Sequence, residues 1–72
     1  MDFHQFLTQA LGEIPPGIRQ GQALMNSLRE VHSGLYHAVP WDLDPYYDDK
    51  LVPAFLDWLR DRWERFHDLS KN

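Results

Sequence analysis

The sequence predicts an all-α fold, a small single domain of three main helices plus a short helical turn. Apolar residues recur at helical spacing in three separate segments. Residues that start or stop helices stand near the ends of those segments. With 72 residues, 43% of them apolar, the chain suffices for one small hydrophobic core and is too apolar to be disordered.

The first helix is predicted over about residues 2–11. Asp2 and Gln5 have the spacing of a capping box, and Gly12 is expected to take the left-handed conformation that ends a helix. Five apolar residues share one face of this helix: Phe3, Phe6, Leu7, Ala10 and Leu11.

A second helix is predicted over about residues 19–32, after a proline-rich connector at 13–18. Ile14 and Ile18 of the connector are expected to enter the core. Gly21 has no side chain and would allow another helix to approach closely, which would offset its cost of about 1 kcal/mol relative to alanine. The apolar stripe of this helix comprises Leu24, Leu28 and Val31, with Leu35 continuing it.

A short helical turn is predicted over residues 34–39, and Pro40 ends it. Its start has two interpretations. Gly34 is the left-handed residue that stops the second helix, or Ser33 is the N-cap of the short turn, and both can hold together.

The longest helix is predicted over residues 50–69. Asp48 or Asp49 is expected to cap it, and Pro53 favours the start of regular helix at about Val52 because proline fits the first turn. An arc of about 100° is apolar and comprises Val52, Phe55, Leu56, Leu59, Trp63 and Phe66. The core of the domain is predicted to consist of Phe6, Leu7, Leu24, Leu28, Val31, Phe55, Leu56, Leu59 and Trp63.

The net excess of negative charge lies in residues 41–49, which we call the corner. The formal net charge is −4, and the corner contains four aspartates and no base. The residues before the corner include two arginines and three acids, and the residues after it include five bases and four acids. This acidic balance argues against direct binding of nucleic-acid phosphates.

The absence of cysteine excludes disulfides and thiolate metal sites. No apolar run is long enough for a membrane span and none has the form of a signal peptide, so we expect a cytoplasmic protein without membrane contact.

The corner has three interpretations. Its aspartates, Asp42, Asp44, Asp48 and Asp49, could bind a hard cation, but the spacing of a calcium-binding loop is missing. Asp44-Pro45 could open a turn or helix while Asp48 and Asp49 cap the last helix. The segment could also be an acidic patch for a partner. The last two interpretations are compatible, and no metal site or cofactor is predicted.

No catalytic constellation is predicted, and the protein is not expected to be an enzyme. The four histidines have no zinc-site spacing. A general base such as His37 oriented by Asp42 is the remaining possibility, because such groups can meet in space.

A second apolar line runs beside the main stripe of the last helix, and with Arg62 we call it the flank. It consists of Leu51, Trp58 and Leu69. Either the core is wide and receives the first helix here, or the line is an exposed patch rimmed by Asp57, Arg62 and Arg65 that serves a homodimer or a protein partner. Seven residues are predicted to contact a partner: Tyr46, Tyr47, Asp48, Asp49, Leu51, Trp58 and Arg62.

Several short blocks in fixed order over roughly residues 19–63 give a resemblance to a group of proteins. The blocks are Gln22-Ala23-Leu24-Met25-Asn26, Leu28-Arg29-Glu30-Val31, Leu35-Tyr36, Asp44-Pro45-Tyr46-Tyr47-Asp48-Asp49, Pro53-Ala54-Phe55-Leu56 and Trp58-Leu59. With them the chain resembles small uncharacterised proteins encoded in bacteriophages and prophages. The resemblance implies a bacterial cytoplasm in which many small acidic proteins bind host proteins.

The leading functional hypothesis is a non-enzymatic protein–protein interaction module with a host or phage protein as partner. One alternative is a structural homo-oligomer or a minor virion component. A weaker alternative is an acidic DNA mimic, although four carboxylates in one corner are few for that role.

Overall fold

A computed structural model describes the main chain of residues 1–70 and the side chains of residues 1–63. Helix α1 spans Phe3–Gly12, α2 Gln20–Val31, α3 Ser33–Ala38 and α4 Val52–Ser70. Two 3₁₀ turns, Trp41–Leu43 and Asp49–Leu51, lie between α3 and α4. No strand occurs over residues 1–70, so the all-α prediction is confirmed.

Helix α1 begins with the predicted capping box. The main-chain N–H of Gln5 donates to Asp2 Oδ1 at 2.7 Å, and the N–H of Asp2 donates to Gln5 Oε1 at 2.9 Å. The prediction for Gly12 is wrong, because Gly12 belongs to the helix without a positive φ and Glu13 is the C-cap. Among the described glycines only Gly17 has a positive φ, 85°.

The connector forms a tight turn in which the N–H of Ile18 donates to the carbonyl of Pro15 at 3.1 Å. Proline at the second position and a left-handed glycine at the third are the pattern of a type II turn. This turn leaves the Ile18 side chain 36% exposed, so its predicted place in the core is wrong. Ile14 is half-buried.

A single residue, His32, separates α2 from α3. Its N–H donates to the carbonyl of Leu28 at 2.8 Å and ends α2. Its Nδ1 accepts from the N–H of Leu35 at 3.3 Å and caps α3. Neither prediction for this junction is correct, since Gly34 lies inside α3 without a positive φ and Ser33 is its first residue rather than its cap.

Helices α1, α2, α3 and α4 enclose one core. The buried residues are Phe6, Ala10, Leu24, Met25, Leu28, Leu35, Val52, Phe55, Leu59 and Trp63. Leu7 and Leu56, predicted as core, are half-buried and pack against it. Val31 is wrong as a core residue: it ends α2 where the chain turns into α3, and it is 39% exposed.

Trp63 of α4 joins the first helix to the last. Its ring lies 5.0 Å from that of Phe6 and 6.2 Å from that of Phe3, and its Nε1 donates to the carbonyl of Met1 at 3.3 Å. The main apolar stripe of α4, to which Trp63 belongs, therefore packs against the first helix. The predicted contributions of Phe66, Leu69 and Arg65 lie outside the described side chains.

Helix α4 begins at Val52 with Pro53 in its first turn, as the sequence predicts. The three residues before it form the second 3₁₀ turn. No helix within residues 1–70 has the combination of length and apolar character that crossing a membrane requires.

Candidate functional site

The corner is fastened to the N-terminal end of α2 by close backbone packing. A Cβ atom on Gly21 would lie 1.9 Å from the carbonyl oxygen of Pro45, a separation that real atoms cannot adopt. Pro45 is fully buried. The sequence predicted a close approach at Gly21, and the approach is made by a loop rather than by another helix.

Asp49 bonds to α2 instead of capping the last helix. Its Oδ1 accepts from the N–H of Gly21 at 3.0 Å, which satisfies one of the donors that a helix start leaves without a partner. Arg19 strengthens this junction: its Nη1 lies 3.8 Å from Asp49 Oδ1, and its Nη2 donates to the carbonyl of Tyr46 at 2.8 Å. Asp49 therefore does cap a helix, as predicted, but that helix is α2 and not the last helix.

Two further aspartates shape the corner itself. Asp44 Oδ1 accepts from the N–H of Tyr46 at 2.9 Å, which is the pattern of an Asx turn. Asp48 Oδ1 accepts from the N–H of Lys50 at 3.0 Å and opens the 3₁₀ turn before α4. The turn-forming interpretation is therefore confirmed for Asp44, and Asp48 caps the 3₁₀ turn that leads into α4, whereas Asp49 caps α2 instead of the last helix.

The same segment displays two large aromatic side chains. Trp41 is 89% exposed and Tyr47 85% exposed. Tyr46 is half-buried, packs against the core and meets the Tyr47 ring edge-on at 4.8 Å. Tyr46 therefore contributes to the packing of the domain, whereas the side chains of Tyr47 and Trp41 are exposed to solvent. Sequence reasoning omitted Trp41 from the site, although its position outside every helical stripe was the available signal.

The charge of the corner is only partly neutralised. Asp49 has Arg19 within 4 Å. Within residues 1–63, Asp42, Asp44 and Asp48 form no ion pair. The corner therefore keeps an excess of negative charge.

A groove of about 290 Å³ opens beside the corner, between it and helices α2 and α3. Tyr46, Tyr47 and Asp44 line it from the corner, while Arg29 and Tyr36 line it from the helices. The sequence did not predict this groove, because Arg29 and Tyr36 meet the corner only in the folded chain.

The flank is partly absorbed into the core. Leu51 and Trp58 are half-buried, and Trp58 packs against the core residues. The Arg62 guanidinium lies 5.7 Å from the Trp58 ring centre, within the range of a cation–π interaction. Among residues 1–63 no hydrogen bond, ion pair or ring contact links Trp58 or Arg62 to the corner. The seven predicted site residues therefore form two groups.

No three histidine, aspartate or glutamate side chains among the described residues are grouped as ligands of one metal ion. The ring of His37 packs edge-on against Tyr36 at 5.2 Å. Within the described side chains it has no hydrogen bond to Asp42, its suggested catalytic partner.

Comparison of the chain with protein-family models, curated proteins and solved structures gives no match. The geometry of the corner, the groove and the flank therefore carries the functional argument.

Proposed function

We propose that this protein is a non-enzymatic protein–protein interaction module and that the corner is its principal binding surface. The observation that carries the proposal is the exposure of Trp41 and Tyr47 in the segment that contains the net charge. Large aromatic side chains are the residues that most often anchor interfaces. Burial of one such side chain contributes about 2 kcal/mol.

The rigidity of the corner supports this role. Pro45 is seated on Gly21, Asp49 bonds to α2, and Arg19 holds the carbonyl of Tyr46. A surface that is ordered before binding loses little conformational entropy when a partner docks. The Tyr47 ring is thus presented by a segment that is tied to α2 on both sides, which favours specific association over adaptable, nonspecific contact.

The flank is the second part of the proposed surface. The Arg62 guanidinium lies over the Trp58 ring, and Leu51 is two residues beyond the end of the corner. A partner that covers the corner and extends along α4 would contact Leu51 first. The resemblance over residues 19–63 gives the proposed setting, in which the partner is a host or phage protein in the bacterial cytoplasm.

The experiment is affinity capture from a nuclease-treated bacterial lysate with the tagged protein and two double variants. Trp41→Ala with Tyr47→Ala removes the exposed rings. Ile18→Ala with Val31→Ala is the matched control, because it removes exposed apolar surface elsewhere. We expect a protein that the wild type and the control retain and the corner variant loses.

Equal recovery by the corner variant, with an unchanged helical circular dichroism spectrum, would refute the corner as the binding surface. Light scattering on a sizing column addresses the homo-oligomer alternative. A dimer that the corner variant converts to a monomer would favour self-association over a separate partner.

A further inference from the structure

We infer that the groove beside the corner receives the guanidinium group of an arginine side chain from a basic segment of the partner. This inference rests on the proposed function and adds the chemistry of the partner to it. It starts from the size of the groove. About 290 Å³ lies at the low end of ligand pockets, which range over about 300–1,000 Å³, so the groove suits a single long side chain.

The walls of the groove carry the groups that recognise a planar cation. Tyr36, Tyr46 and Tyr47 contribute aromatic rings, whose faces attract cations and stack on guanidinium groups. Tyr46 and Tyr47 meet edge-on at an interplanar angle of 68°. The 85% exposure of Tyr47 keeps its ring accessible to a ligand.

Asp44 supplies the countercharge at a fixed position. Its Oδ1 is held by the N–H of Tyr46 at 2.9 Å, while its Oδ2 accepts no hydrogen bond within residues 1–63. The carboxylate is half-buried and has no cation within the described side chains. A guanidinium in the groove would compensate this charge by a charge-assisted hydrogen bond.

Arg29 also lines the groove and would attract an anion rather than a cation. Two facts weigh against an anionic occupant. Arg29 is exposed, and the adjoining corner holds four carboxylates, of which only Asp49 has a cation within 4 Å in the described chain. The excess of carboxylates therefore favours a positive ligand. Repulsion from Arg29 would weaken the binding of that ligand.

The test is a titration of the isotope-labelled protein with N-acetyl-arginine amide, followed by NMR of the backbone amides. We expect saturable shifts at Tyr36, Asp44 and Tyr47. Asp44→Asn keeps the acceptor for the Tyr46 N–H and removes only the charge, so it should fold and weaken binding about tenfold. The control Glu13→Gln makes the same change in net charge at an exposed site outside the groove and should have little effect.

Two further arms separate the groove from general charge attraction and from an anion site. Tyr47→Ala should weaken binding because it removes one ring, and Arg29→Gln should leave binding unchanged or tighten it. N-acetyl-glutamate amide should give no saturable shifts. Loss of arginine binding in Arg29→Gln, saturation by the glutamate derivative, equal weakening by Glu13→Gln, or no saturable arginine shifts would each overturn the inference.

The two proposals can fail separately. If the arginine derivative does not bind while capture of a protein still depends on Trp41 and Tyr47, only the arginine assignment is refuted. If captured proteins are indifferent to Trp41 and Tyr47, the corner as a partner surface is refuted whatever the groove binds.

Discussion

At the scale of single residues, the contact between Gly21 and Pro45 has the most sharply defined geometry. The Pro45 carbonyl oxygen occupies the space into which any side chain at position 21 would extend. Because Asp49 also bonds to the Gly21 N–H, one residue without a side chain joins α2 to the corner by packing and by a hydrogen bond.

Gly21→Ala should destabilise the fold by about 2–3 kcal/mol, because backbone atoms rather than a flexible side chain must move. That is a large part of the roughly 3–5 kcal/mol available to a domain of this size. Urea unfolding followed by circular dichroism measures the loss.

Gly12→Ala is the matched control for this experiment. A Cβ at Gly12 would meet nothing within 4 Å, and the residue lies in α1 without a positive φ. It should therefore stabilise the protein by about 0.5–1 kcal/mol. Equal changes in the free energy of unfolding for Gly21→Ala and Gly12→Ala would show that Pro45 does not pack closely on Gly21 in the folded state.

At the scale of elements, Trp63 provides the connection between α1 and α4. Trp63→Ala should cost about 3–5 kcal/mol, since its side chain is 6% exposed and packs on Phe6. Trp41→Ala removes the same side chain from a site 89% exposed and should change the free energy of unfolding by less than about 0.5 kcal/mol. A Trp41→Ala variant as unstable as Trp63→Ala would contradict this assignment of core and surface.

The elements themselves were largely predictable because their determinants are local. The helical periodicity, the Asp2 capping box and the effect of Pro53 on the start of α4 depend on residues a few positions apart, and all three predictions are confirmed. The errors at Gly12 and at the α2–α3 junction concern helix ends, where any of several neighbouring residues can be the cap. His32 performs both functions at that junction, and histidine is not among the preferred caps.

At the scale of the whole molecule, the concentration of negative charge in the corner should govern how fast partners associate. A basic partner, as inferred above, should bind with an association rate that falls steeply with salt. The reason is that the screening length shrinks from about 30 Å at 0.01 M to about 8 Å at 0.15 M salt.

Asp42→Asn with Asp48→Asn should flatten this salt dependence, because neither carboxylate has an ion-pair partner within residues 1–63. The double variant Glu13→Gln with Glu30→Gln, which removes two exposed acids outside the corner and the flank, should alter it less. Stopped-flow or surface-based kinetics would measure both, and an association rate that is insensitive to salt would contradict the steering.

Only part of the candidate site could be predicted from the sequence. The residues of the corner could be, but their contacts with distant parts of the chain could not. Tyr46, Tyr47, Asp48 and Asp49 stand out by composition alone. The bond of Asp49 to Gly21 and the meeting of Arg29 with the corner span distant parts of the sequence. No local pattern encodes them, since they follow from how α2 and the corner pack.

The hydrogen bond from Gly21 to Asp49 makes a single amide proton a reporter for the seating of the corner. The second amide of a helix has no partner in the helix itself, so it should exchange rapidly with deuterated solvent. In this protein the Gly21 amide should be protected as long as Asp49 stays in place. Asp49→Ala should accelerate its exchange while the amides inside α2 remain slow, and docking of a partner on the corner should slow it further.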